Sequence, residues 1–139
     1  MNLIKSHLLY VAWAQAMAGV VGSLYFSEIA GFTPCVLCWW QRILMYPLVI
    51  IIAVGILKKD YWAPFYILPF SILGIMVSLY QNALTYGWLP EVVGSCSATV
   101  SCTVRYIDYF GFMTIPFLSL VAFSVITICA LVVARTGKT

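Results

Sequence analysis

Five cysteines stand in a chain of 139 residues, and four of them form two pairs. Cys35 and Cys38 lie in "TPCVLCWWQR" with two residues between them, and Cys96 and Cys102 lie in "VGSCSATVSC" with five between them. Paired thiols at short spacing exchange disulfides, bind a metal or staple the chain. The setting of the first pair favours exchange. Thr33 is a suitable N-cap and Pro34 a suitable first helical residue, so both cysteines fall in a first helical turn. Positions i and i+3 share a helix face and come within bridging range. The partial positive charge of a helix N-terminus favours the thiolate, the form that attacks and leaves in disulfide exchange. An inert staple has no need of that placement. Zinc sites favour roughly two to four residues between paired ligands, and the five in "CSATVSC" exceed this, so no metal is expected. The second pair sits in a small, polar stretch suited to an exposed bridge, mobile or static. Cys129, in "SVITICALVV", reads as a small buried hydrophobe.

Other polar residues lie at a similar depth to one another, below the first pair. Arg42 follows Cys38 at i+4 and Cys35 at i+7, on one helix face and roughly 10 Å further along the axis. Gln81 and Asn82 lie about 9–10 Å inside Trp88 on another apolar run. A charge inside a membrane is costly and marks a functional candidate. Arg42, Gln81 and Asn82 beside a thiol suit the carbonyl oxygens of a quinone. Two plainer readings compete: Arg42 reaching back to headgroups, and the amides bonding helix to helix.

The elements that must position these groups follow from composition. Hydrophobic residues make up 64% of the chain and charged ones 8%, far too little polar surface for a water-soluble domain of this size. Asp, Glu, Lys and Arg are absent from Ser6 to Ser27, Ile43 to Leu57, Tyr61 to Pro90 and Tyr109 to Ala134. A membrane span takes roughly 20 residues. The pattern predicts an all-α membrane protein, a bundle of four transmembrane helices near 8–26, 36–57, 65–87 and 113–134. An outer loop near 88–112 carries the second cysteine pair, and residues 1–139 form a single domain. "AWAQA" resembles a signal cleavage site, but its apolar stretch is too long and three more spans follow. The net charge of +3 is scattered, which excludes a nucleic-acid surface. Lys and Arg gather on the cytoplasmic side of short loops. Lys5, Lys58, Lys59, Arg135 and Lys138 share one side of a four-span chain, so both termini are expected in the cytoplasm. The four paired cysteines then lie at or beyond the outer face, in an oxidising space.

With "PCVLCWWQRILMYP" at the second span, the paired loop cysteines and "YFGFMTIPF" entering the fourth, the chain resembles the DsbB family of bacterial membrane thiol–quinone oxidoreductases. It is most similar to the small BdbC-type members of Gram-positive bacteria. The resemblance implies a protein of the cytoplasmic membrane that reoxidises a DsbA-like thiol oxidase on the outer side. Electrons pass to a quinone, menaquinone or ubiquinone. It implies that Cys96 and Cys102 form the disulfide the partner reduces, with Cys96 taking the mixed disulfide. Cys35 and Cys38 then reoxidise that pair, Cys35 bonding Cys102. Cys38 faces the quinone, and Arg42 polarises a ring oxygen. "YQN" at Tyr80–Asn82 stands where the best-known member carries Glu and His. Two other readings use the same cysteines: a scaffold with two structural disulfides, and a vitamin-K-epoxide-reductase-like enzyme. The latter family places its C-x-x-C in the last span, not the second.

Orientation is testable by cysteine accessibility. A cysteine substituted for Ser97 should label from outside intact cells, and one substituted for Lys59 should not. The reverse pattern would overturn the assignment of sides.

Overall fold

The computed structural model describes residues 3–29, 31, 36–88 and 115–137. Four helices account for most of them: α1 (Leu3–Leu24), α2 (Val36–Lys58), α3 (Ala63–Thr85) and α4 (Ile115–Gly137). All four are long and apolar enough to cross a membrane. α1 continues as a π-helical turn, Tyr25–Ile29. Cys35, Cys96, Cys102, the cap at Thr33 and Pro34, and nearly all of the 88–112 loop lie outside the described residues.

Backbone chemistry explains why these segments are helical. In hydrocarbon no water satisfies an N–H or C=O, so each segment must satisfy its own. The interruptions are therefore few and placed. Pro64 occupies the first turn of α3, where a missing N–H costs nothing. Pro47 in α2 and Pro69 in α3 lie inside their helices, each removing one ladder bond. Both turns after α2 and α3 close the helix with the same pair of bonds. After α2, Asp60 N donates to Gly55 O at 3.1 Å and Lys59 N to Ile56 O at 3.4 Å. After α3, Trp88 N donates to Ala83 O at 2.9 Å and Gly87 N to Leu84 O at 3.1 Å. This is the Schellman arrangement, which requires a left-handed residue just past the helix. Gly87 supplies it with φ 77°, and Lys59 adopts it with φ 52° despite its Cβ. Asp60 then accepts the N–H of Trp62 on Oδ1 at 2.9 Å and leads the chain into α3.

The helices form a closed ring. Each packs on its chain neighbours, and α4 returns against α1. The core is continuous from Leu9, Ala12 and Ala16 of α1, through Leu48 and Ile52 of α2 and Ile67 of α3, to Phe123 and Ile126 of α4. Phe123 is fully buried and lies where a side chain on Gly74 would otherwise sit. Residues that face away, such as Trp39, Ile43, Ile50, Leu57, Phe65, Met76 and Ile128, are large and apolar, as a lipid-facing surface demands.

The two ends of the bundle differ. One gathers Lys5, Lys58 and Arg135. The sequence reading treats Lys5 as a flank before a span that starts near residue 8, whereas the helix begins at Leu3 and Lys5 is 7% exposed. Its ammonium lies 5.9 Å from the centre of the Tyr61 ring and close to Gly137, at the end of α4. An aromatic face and a helix C-terminus both favour a cation, which makes this burial tolerable. The other end of the bundle holds the polar residues near the start of α2 and the end of α3.

The two left-handed turns predict opposite effects. Gly87→Ala meets no steric obstacle, yet should lose about 1 kcal/mol of stability, and Lys59→Gly should gain a similar amount. Thermal unfolding in detergent measures both.

Candidate functional site: a cavity beside Cys38

Cys38 lies in the first turn of α2, with Gln41, Arg42 and Met45 following at i+3, i+4 and i+7. That spacing makes one stripe. The stripe forms one wall of a cavity of about 290 Å³. α1 contributes Gln15, Gly19 and Ser23, and α4 contributes Leu118, Ser119 and Ala122. Most of the lining is apolar, and its polar residues include Gln41 and Arg42 of α2, Gln15 and Ser23 of α1 and Ser119 of α4. The volume approaches the lower bound of roughly 300 Å³ for small-molecule sites, which are mostly apolar with a few placed polar groups.

Arg42 is 8% exposed, and its guanidinium is bonded within the bundle. Its Nε donates to Ser23 Oγ at 2.8 Å and one Nη donates to the Ser23 carbonyl at 2.8 Å. Ser23 belongs to the last α-helical turn of α1, just before the change to π geometry at Tyr25. Arg42 therefore clamps α1 to α2 and receives its solvation from the protein. The Trp39 ring adds a cation–π contact at 5.4 Å. A guanidinium has more N–H donors than these two bonds use, and Arg42 also borders the cavity.

Gln81 and Asn82 separate in space. Gln81 is 3% exposed. Its Nε2 donates to Cys38 Sγ at 3.3 Å, while its Oε1 accepts from Gln41 Nε2 at 2.6 Å. It thus lies behind the sulfur and is not part of the cavity lining. Asn82 turns to α4, where its Nδ2 donates to Pro116 O at 3.0 Å and, within α3, to Ser78 O at 2.7 Å. Its Oδ1 is buried without a hydrogen-bond partner. The helix-to-helix reading describes Asn82, and it too is away from the cavity lining. Cys129 is buried in the core of α4, apart from the site.

Two site residues escape a linear reading. Gln41 carried a signal, since it lies at i+3 from Cys38 and beside Arg42 in a helix that is otherwise apolar up to Lys58. Ser23 carried none, because its partner is 19 residues away and only the packing of α1 on α2 brings them together.

Comparison with known proteins identifies the family. The family model for disulfide bond formation protein DsbB matches residues 5–133. The chain belongs to the DsbB family. It is 43% identical over 131 residues to probable disulfide formation protein C 1 of Bacillus cereus, covering 94% of each chain. It is 45% identical over 130 residues to probable disulfide formation protein C of Halalkalibacterium halodurans, covering 93% of this chain and 94% of that one. Disulfide bond formation protein C of Bacillus subtilis is 45% identical over 122 residues, 86% of this chain and 87% of that one. No solved structure matches. This DsbB-family chain is thus a disulfide-bond-forming membrane protein with four apolar helices.

Asn82 offers a test of role by position. Asn82→Leu removes both donated bonds and leaves the Pro116 carbonyl without this donor, so it should cost about 1–3 kcal/mol in thermal unfolding. Ligand binding in the cavity should not change, because Asn82 is separated from its lining.

Proposed function

We propose that the chain is a thiol–quinone oxidoreductase that reoxidises a DsbA-like extracytoplasmic thiol oxidase and so supports disulfide formation in exported proteins. The observation that carries this reading is the cavity that borders Cys38, Gln41 and Arg42 between apolar helices. A lipid-soluble acceptor reaches such a site from the bilayer, and the Cys38 sulfur lies at its edge.

The order of steps follows the resemblance stated above. A Cys96–Cys102 disulfide accepts two electrons from the partner's dithiol, and the partner leaves oxidised. The reduced loop pair then reduces a Cys35–Cys38 disulfide by exchange, through a Cys35–Cys102 bond. Two electrons and two protons leave the resulting Cys35–Cys38 dithiol. A bound quinone, menaquinone or ubiquinone, would supply the two-electron sink for that step. Arg42 and Gln41 are the donors suited to its carbonyl oxygens, and Gln15 and Ser119 add polar atoms to a lining that otherwise fits an apolar ring. The Arg42 side chain is held by Ser23, so its position is set before any ligand arrives, which lowers the ordering cost of binding. Gln81, read from sequence as a quinone ligand, is better suited to the sulfur.

The proposed orientation puts both termini in the cytoplasm and the cysteine pairs at the outer face. The clustering of Lys5, Lys58, Lys59 and Arg135 at the opposite end from Cys38 supports it through the positive-inside rule.

Steady-state turnover against quinone concentration tests the reading. Cys38→Ser should abolish electron transfer to quinone. Arg42→Lys keeps the charge but loses the planar multi-donor head, and should weaken apparent quinone affinity about ten- to a hundredfold. Arg42→Met should be worse, while exchange between the two cysteine pairs continues in both variants. Unchanged affinity in both, with intact turnover, rejects Arg42 as a quinone ligand.

A further inference from the structure

The direction of one amide behind Cys38 has a chemical consequence. Gln81 presents its Nε2 to the sulfur at 3.3 Å and its Oε1 to Gln41. An amide has a donor end and an acceptor end. If the amide turned over, oxygen would face sulfur. Gln41 opposes this by donating its own Nε2 to Gln81 Oε1 at 2.6 Å, so the Gln81 amide could turn over only together with that of Gln41. Gln41 is 8% exposed and Gln81 3%, so water competes little for either group. Two helices are involved: Gln41 shares α2 with the cysteine, and Gln81 is on α3.

We propose that Gln81 stabilises the Cys38 thiolate by donating an N–H to its sulfur, and that Gln41 is a positioning residue that fixes the direction of that amide. The proposal rests on the thiol-exchange reading of Cys38 and deepens it. Sulfur in a thiol or a disulfide is a weak acceptor, whereas a thiolate is an anion and accepts strongly. The Gln81 bond is therefore worth most when Cys38 carries negative charge. Cys38 does so when it is expelled from its disulfide and again when it attacks. A donor already aimed at the site of developing charge requires no reorganisation at that moment. Gln41 never touches the sulfur in this scheme and acts only through Gln81. It also borders the cavity, so the residue that sets the amide is in a position to sense whether the cavity is filled.

Thiolate alkylation tests this without quinone or partner. The full-length chain is prepared in detergent with Cys35, Cys96, Cys102 and Cys129 each replaced by Ser. Iodoacetamide then reads the thiolate fraction of Cys38 at neutral pH. Gln81→Leu should slow alkylation about ten- to a hundredfold, the loss of one charge-assisted hydrogen bond. Gln41→Leu should slow it less, since the freed amide still spends part of its time with nitrogen toward sulfur. In the Gln81→Leu background, Gln41→Leu should add nothing, because its route to the sulfur is gone. Loosening of the bundle would expose Cys38 and speed the reaction, so a merely structural role moves the rate the other way. An unchanged or faster rate in Gln81→Leu overturns the donor assignment. Independent, additive slowing by the two substitutions overturns the positioning role of Gln41. The assay contains no quinone, so a failure of the quinone reading leaves these outcomes unaltered.

Discussion

A guanidinium held inside an apolar bundle must be solvated by protein, and the arrangement around the cavity depends on how Arg42 meets that demand. Water is scarce at its depth, and a bare charge there would be costly. The last α-helical turn of α1 offers what is needed, a hydroxyl and a carbonyl from the single residue Ser23. The two helices are thereby pinned together at the level of Cys38. The cavity lies beside this clamp, and Gly19 and Gly22 of α1 are among the residues that line it.

The same demand orders the polar residues elsewhere. Buried amides and hydroxyls in a low-dielectric interior must find partners. Gln41, Gln81 and Cys38 satisfy one another across α2 and α3, and Asn82 joins α3 to the first turn of α4. Thr85 returns its hydroxyl to the Gln81 carbonyl at 2.9 Å, and Thr127 does the same to Phe123 at 2.8 Å. Between the polar end and the basic end the interior is mostly apolar, and the hydroxyls of Ser71 and Thr127 there bond to carbonyls of their own helices. There Phe123 packs on Gly74, and Leu9, Leu48, Ile67 and Ile126 fill the rest. Close packing in that middle layer suits a protein whose proposed chemistry is at one edge. Sulfur, amide and guanidinium are held on helices, and helices position such groups more closely than loops do.

The membrane also explains the division of labour between the proposed site and its lipid-facing surroundings. Apolar side chains such as Trp39, Trp40 and Ile43 face outward beside the stripe that faces inward. One turn of α2 therefore meets the bilayer on one side and the cavity on the other. A ligand that dissolves in lipid needs no aqueous route to such a place, and a thiol near the helix start needs only a short reach to the water side.

The sequence by itself determined the number of helices, their approximate limits and the stripe that unites Cys38 with Arg42. Long runs free of charge admit one structure in hydrocarbon, since a helix satisfies its backbone internally, and the helical repeat then decides which neighbours share a face. The sequence reading placed the end of the third span near 87 without singling out Gly87, although glycine is the usual residue where a left-handed position ends a helix, as it does in α3. It could not mark Lys59, whose positive φ is imposed by the turn. Tertiary structure alone decided that Arg42 bonds Ser23, that Gln81 and Asn82 diverge although adjacent, and that Gln41 directs the Gln81 amide at sulfur. Consecutive residues on a helix point about 100° apart, so which helix each one meets depends on the order of packing around the ring. Hydropathy drives α1 to α4 together but is blind to that order, and the contacts of single polar atoms settle only after it is set.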